Sequence, residues 1–175
     1  ACDLERAGVR AIAGGCGYLA VLQDVLAAAV TVPVVTSALM LTPLVSQMVG
    51  KRGKVGILTT NSGPLREEYF RACRWSSKEV PVAMIGLEGT AFGEILRGRQ
   101  TLSELDRRDL EAIVVGQARS LLDRDPAVGA FVFECTNLPP YSAAVQQATG
   151  LPVFDSVGLI EMVHRAVTQQ TCGLV

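Results

Sequence analysis

Short apolar runs alternate with longer segments of helical periodicity along the whole of this 175-residue chain. Residues 9–13, 32–35, 55–59, 80–85, 130–133 and 152–155 are too short for helices and carry mostly Val, Ile, Ala and Phe, so they read as strands. Between them, residues 19–30, 39–49, 65–73, 90–98, 104–123, 141–149 and 156–170 place apolar side chains at helical spacing. Strands alternating with helices predict an α/β fold with parallel sheets. Such strands are buried on both faces, which fits a hydrophobic content of 49% against 19% charged. With only 5% aromatic residues, aliphatic side chains must fill the core. Ligands of these folds bind beyond the carboxyl ends of the strands, where chemically useful residues are to be sought.

Composition excludes several classes. Net charge is −1, with no basic stripe, so no nucleic-acid partner is expected. The apolar stretch 18–35 is interrupted by Gln23, Asp24, Thr31 and Pro33, which argues against a membrane span. No basic, apolar, small-residue leader opens the sequence, and the default expectation is a cytoplasmic protein. The five cysteines show neither CxxC pairs nor zinc spacing, so thiols and no metal are expected. A basic, glycine-containing stretch at 50–54 reads as the crossing between two lobes. The first lobe would comprise 1–50 plus 156–175, and the second 51–155.

Two cysteines occupy matching contexts. Cys16, in AIAGGCGYLAVLQ, follows an apolar strand and precedes a helix; Cys135, in AFVFECTNLPPYSAAVQ, does the same. A thiol near a helix N-terminus meets unpaired N–H groups and the positive end of the dipole, which favour a thiolate. The same N–H groups can hold a substrate carboxylate. One such cysteine alone is most often a small buried hydrophobe. A pair, one per lobe, can approach a bound carbon from opposite faces, one removing a proton and the other returning one. Cys2, Cys73 and Cys172 lack such turns and read as structural.

Other polar residues carry less weight. The cluster Thr59, Thr60, Asn61 and Ser62 ends a strand; Thr59 and Asn61 read equally as ligand contacts or an ordinary turn, Thr60 and Ser62 more as the turn, and Thr36 and Ser37 equally as ligand contacts or a helix cap. Thr136 and Asn137 follow Cys135 directly. Glu134 reads as a structural hydrogen-bond acceptor, because a carboxylate beside Cys135 would raise the thiol pKa. His164, the single histidine, reads as an ordinary helix residue, which argues against His-based triads and metal sites. Trp75 reads as a surface loop or a contact between lobes.

GGCGYLAVLQ, VPVVTSALM, KVGILTTNS and ECTNLPPYSAAVQQATGLPVFD, in that order, resemble the aspartate/glutamate/hydantoin racemase superfamily over nearly the whole chain. The resemblance implies two flavodoxin-like lobes with the active site between them, no cofactor, and Cys16 and Cys135 as an acid/base pair. It implies that Gly17, Thr36, Ser37, Thr59, Asn61, Thr136 and Asn137 bind the carboxylate of a small-molecule substrate, and that the chain forms a homo-oligomer. Two departures stand out. Amino-acid racemases of this type often carry Asn-Thr after the first cysteine, where this chain has Gly17-Tyr18, and commonly a glycine where it has Glu134. The family also begins with a strand and loop ahead of the first cysteine, so several tens of residues are expected upstream of Ala1.

The leading expectation is therefore a racemase or epimerase of an amino acid, related carboxylate or hydantoin. A decarboxylase, which needs one protonating cysteine, or a cis–trans isomerase of a dicarboxylic acid is the alternative on the same scaffold. A non-catalytic small-molecule-binding or redox protein is the third.

Overall fold

The computed structural model describes residues 1–50, 53–99 and 106–169. Helix α1 (Cys2–Arg6) leads into β1 (Ile12–Ala13), and a 3-10 helix (Gly17–Leu22) continues into α2 (Gln23–Ala28). Strand β2 (Val34–Val35) is followed by a second 3-10 turn (Ala38–Leu41) and α3 (Thr42–Val49). Then come β3 (Lys54–Thr59), α4 (Glu67–Ala72), β4 (Val82–Gly86), α5 (Ala91–Leu96) and α6 (Arg107–Arg124). Strand β5 (Val128–Phe133), a third 3-10 turn (Pro139–Tyr141), α7 (Ser142–Thr149), β6 (Val153–Phe154) and α8 (Ser156–Val167) complete the order.

All pairing is parallel, as the alternation of strands and helices predicts. β1 and β2 form a two-stranded sheet with Ile12 opposite Val34 and Ala13 opposite Val35. The larger sheet has the order β4-β3-β5-β6. The chain leaves β3 for one neighbour, β4, and returns on the other side as β5. The β3–β5 boundary is thus a topological switch point, and a crevice opens beyond the carboxyl ends of these two strands.

Alternation along β3 and β5 builds a core on each face of the sheet. On one face, Leu58, Phe131 and Phe133 pack against Leu110, Val114, Ala118 and Leu121 of α6 and Tyr141 and Val145 near α7. The α6 residues lie on one helical stripe. Their helix starts cleanly because the Asp106 carboxylate accepts from the N–H groups of Arg108 and Asp109, while the Asp109 side chain accepts from the N–H of Asp106. On the other face, Val55, Ala130 and Val132 meet Ala38, Leu41, Val45 and Leu159. Beside them Ile57 packs with Ala20, Leu39, Leu65, Phe70 and Trp75.

Several expectations change. The strands at 9–13 and 32–35 pair only over two residues each, at Ile12–Ala13 and Val34–Val35. The helix expected at 19–30 begins at Gly17 as 3-10, and the one at 39–49 begins at Ala38 likewise, since first turns often tighten this way. Trp75 is buried, stacks on Phe70 at 4.3 Å between ring centroids, and donates from Nε1 to the Leu39 carbonyl at 3.0 Å. It is a contact joining the stretch before β3 to the stretch after it. Parts of the 50–54 crossing, the start of the helix expected at 104, the end of that expected at 170, and Cys172 lie outside the described residues.

Ile57 is fully buried between the sheet and three neighbouring elements. Replacing it with alanine is expected to lower unfolding free energy by about 2–5 kcal/mol, read from the urea midpoint at unchanged m-value.

Candidate active site

The switch point brings the two cysteine turns together. β3 ends at Thr59 and β5 at Phe133, and the Glu134 N–H continues the ladder by donating to the Leu58 carbonyl at 2.9 Å. Cys135 therefore emerges at the carboxyl edge of the sheet, 8% exposed. Cys16 follows β1 in extended backbone (φ −154°, ψ 128°) and stands at the N-cap of the Gly17–Leu22 helix, exposed. Both are free thiols. They line one cleft of ≈ 260 Å³ together with Gly15, Gly17, Tyr18, Thr60, Leu96, Glu134, Thr136 and Asn137.

Direct bonds tie the turns to each other. The Thr136 hydroxyl donates to the Gly15 carbonyl at 3.0 Å, reaching from the second cysteine turn to the first. The Asn137 amide donates to the Cys135 sulfur at 3.7 Å. The Leu19 N–H donates to the Cys16 carbonyl at 3.0 Å, closing the first turn of the 3-10 helix beside the cleft. By contrast, Cys135 sits on a turn, with the Leu138 N–H donating to its carbonyl at 3.1 Å, and its helix starts only at Pro139.

Glu134 has the most unusual environment in the site. Its side chain is 1% exposed. Oε2 accepts from the Thr59 hydroxyl at 2.6 Å, and Oε1 has no hydrogen-bond partner among the described residues. Burial pushes its carboxyl above the ordinary range, and the Thr59 bond offsets only part of that. Gly17 packs directly on it: a Cβ at residue 17 would collide with Oε1 and with the Glu134 carbonyl oxygen. The two departures from the racemase pattern are thus one contact. The acid at 134 fills the space that a side chain at 17 would occupy.

Tyr18 closes another wall. Its hydroxyl donates to the Asn61 carbonyl at 2.8 Å, and its ring meets Tyr69 edge-on at 5.6 Å. Burial raises its phenol above the usual value; the Thr59 hydroxyl works against this, and the charges of Glu134, Tyr69 and Cys135 add to it.

Of the residues singled out in the sequence, Cys16, Gly17, Cys135, Thr136 and Asn137 line the cleft. Thr36, Ser37, Thr59 and Asn61 do not. The Thr36 N–H and hydroxyl both donate to Gln23 Oε1, at 3.0 and 2.8 Å. The Ser37 hydroxyl accepts from the Leu39 N–H at 3.2 Å, capping the 3-10 turn. Both border a separate small hollow that also touches Thr136. Thr59 is wholly buried against Glu134, and Asn61 Oδ1 accepts from the Gly63 N–H at 3.2 Å in its own turn. Gly15, Tyr18 and Leu96 also line the cleft without having been read as ligand contacts, Thr60 lines it from the polar cluster weighed with Thr59, and Glu134 was read as structural. The departures at 17, 18 and 134 were the signal that would have found two of them. Cys73 is buried, and burial first, then the Asp24 charge, pushes its thiol up to about 12. A second cavity, of ≈ 340 Å³, lies between β1 and α8 and holds His164 but neither cleft cysteine. No group of three or more metal-ligating side chains occurs among the described residues, and no described helix is long and apolar enough to cross a membrane.

A family model described as Asp/Glu/Hydantoin racemase matches residues 1–160. The chain belongs to that family. Among curated relatives it is 31% identical over 161 residues to the dimethylsulfoniopropionate lyase of Durusdinium sp. clade D, covering 89% of this chain and 51% of that protein. It is 30% identical over 164 residues to dimethylsulfoniopropionate lyase 3 of Emiliania huxleyi, covering 88% and 41%. The chain thus spans about half or less of the length of these relatives. Its fold is that of allantoin racemase from Pseudomonas fluorescens (TM-score 0.62, 22% identity, 95% of this chain and 66% of that one) and of unliganded arylmalonate decarboxylase (TM-score 0.59, 18% identity, 97% and 73%). The chain is therefore a member of an enzyme family.

Gly17→Ala is expected to cost about 2 kcal/mol or more and to disrupt the cleft, because the new methyl meets backbone as well as carboxyl oxygen. Thermal melts and alkylation rates of Cys16 and Cys135 check this. Glu134 also predicts a pH effect. Its folded pKa lies above the ordinary 4.5 of an unfolded glutamate, so its contribution is complete below that value and is lost as pH rises through the folded one. Relative to wild type, the Glu134→Gln melting temperature is expected to rise as the pH climbs above 4.5.

Proposed function

We propose that this chain removes a proton from the carbon next to a substrate carboxylate, using Cys135 as base, and that its reaction is the elimination of dimethyl sulfide from dimethylsulfoniopropionate. The observation that carries the reading is the single cleft shared by Cys16 and Cys135, in a chain whose curated relatives bear that lyase name. The Asn137 amide on the sulfur and the position at the switch point favour Cys135 over the exposed Cys16 as base.

The Cys135 thiolate takes a proton from the carbon α to the carboxylate. The C–H electron pair forms the C=C bond as the β carbon–sulfur bond breaks. Its electrons leave on sulfur as neutral dimethyl sulfide, acrylate remains, and the thiol returns the proton to solvent. Charge built on the carboxylate in this step is met by N–H groups at the Cys16–Gly17 turn and by Thr136 and Asn137, which raises the rate only if they are aimed at the transition state.

Racemisation is the second reading, favoured by the presence of both thiols on one cleft: Cys16 would return the proton on the opposite face. The two differ in what they need. Elimination needs one base, racemisation two.

Full-length protein is incubated with dimethylsulfoniopropionate in D₂O, with headspace dimethyl sulfide and α-proton signals followed together. Dimethyl sulfide release that Cys135→Ser lowers by about 10²–10⁴-fold, with a smaller loss for Cys16→Ser, is the expected result. α-Proton exchange in an amino acid or hydantoin, lost equally in both variants and without sulfide release, would move the assignment to racemase. Sulfide release unaffected in Cys135→Ser would overturn the base assignment.

A further inference from the structure

Among the described residues, no lysine, arginine or histidine lines the cysteine cleft. Arg97 and Arg99, which follow the lining residue Leu96, are both paired with Glu94, at 3.3 and 3.6 Å. Arg10 and His164 line the other cavity. A ligand with two carboxylates would therefore enter the cleft with no cation to meet its net negative charge, and burial of an unmatched charge is costly. A zwitterion brings its own counter-charge, and that cation also comes near the Cys135 thiol, which has an amide but no cationic side chain beside it.

Tyr18 is the one aromatic residue of the lining. It is half-buried, and two contacts fix its ring: the hydroxyl donates to the Asn61 carbonyl at 2.8 Å, and Tyr69 meets the ring edge-on at 5.6 Å. A ring already held in place loses little freedom when a ligand settles against it. Burial raises its phenol most, and the charges of Glu134, Tyr69 and Cys135 add to this, so Tyr18 stands within electrostatic reach of the second thiol. A methylated sulfonium or ammonium group has no N–H to donate to an acceptor. An aromatic ring attracts it through the ring quadrupole instead.

We propose that Tyr18 is a specificity-determining residue whose ring receives a methylated onium group, sulfonium or quaternary ammonium, of a net-neutral carboxylate zwitterion. The inference rests on the dimethylsulfoniopropionate reading above and extends it from one compound to a class. With the onium group at the Tyr18 wall, the leaving sulfur lies on one side of the cleft and the α carbon is left for Cys135. The positive charge fades as the carbon–sulfur bond breaks, so the ring holds the substrate more strongly than the transition state. Tyr18 then governs which ligand binds more than how fast it reacts.

The test uses two probes of the same shape: trimethylammoniopropionate, and the carboxylate in which carbon replaces its ammonium nitrogen. Their binding to the full-length protein is measured by titration calorimetry in wild type, Tyr18→Phe and Tyr18→Leu. Phenylalanine keeps the ring and drops the bond to Asn61; leucine removes both. Circular dichroism confirms folding, and Tyr18→Met, which fills space without a ring, takes the place of the leucine variant if that unfolds. Wild type is expected to bind the ammonium probe about 5–30-fold more tightly than its carbon counterpart. Tyr18→Phe keeps this preference, while Tyr18→Leu loses it and binds the carbon probe as wild type does. With dimethylsulfoniopropionate, Tyr18→Leu raises KM more than it changes kcat. Equal binding of the two probes by wild type, a preference that survives in Tyr18→Leu or vanishes in Tyr18→Phe, or binding of neither probe would each overturn the proposal. A Tyr18-dependent onium preference without dimethyl sulfide release supports this inference and removes the elimination reading. Sulfide release with a preference indifferent to residue 18 does the reverse.

Discussion

Leu58 of β3 pairs with Phe133 of β5, so the residues that follow, Thr59 and Glu134, meet at the carboxyl edge of the sheet. The other features of the cleft depend on that parallel pairing. Because β4 lies on the far side of β3, the strand order reverses at the β3–β5 boundary, the place where such sheets form a crevice. The next residue after Glu134 is Cys135, which is thereby delivered to the crevice with a rigid strand behind it. Burial of Ile57 and Leu58 on opposite faces holds the seam in register, since a one-residue slip would turn each core side chain to the wrong face.

The first cysteine reaches the same place by a different route. Its strand pairs over only two residues, so the β1–β2 sheet by itself is a weak support. Its position is secured by contacts with the second cysteine turn, Gly17 on Glu134 and Thr136 on the Gly15 carbonyl, and with the turn after β3, Tyr18 on the Asn61 carbonyl. Gly14 approaches the Thr36 backbone so closely that any side chain there would collide with it, which binds the first turn to β2 as well. The geometry of the two thiols is therefore set by side chains between the turns more than by the small sheet beneath Cys16.

Racemases, decarboxylases and lyases on one scaffold share a chemical demand. Each must stabilise negative charge developing beside a carboxylate or carbonyl, and each needs a group that gives or takes one proton at carbon. What separates them is the number of proton-transfer groups and the leaving group that the cleft admits. Glycine at 17 and glutamate at 134 together shape the lining of the cleft beside both cysteines. Changes of that kind alter substrate preference on a conserved frame without disturbing the fold.

The alternation of apolar runs and helical periodicity was enough to establish the α/β class, the parallel strands and the positions of nearly all elements, because those depend on local periodicity and burial. The two cysteine turns were legible for the same reason: a strand end followed by a helix start is a local pattern. Thr36, Ser37, Thr59 and Asn61 were read as ligand contacts from equally local evidence, yet hydrogen bonds formed within the protein keep them out of the cleft. Glu134 could be seen as a departure from a pattern, but not as a buried acid with one unpartnered oxygen. That property depends on Gly17, distant in sequence and in contact only after folding. Residue type and spacing determine which elements form and which thiols are available; only tertiary packing decides which polar groups are left without partners, because satisfaction of a buried group depends on neighbours that no local window contains.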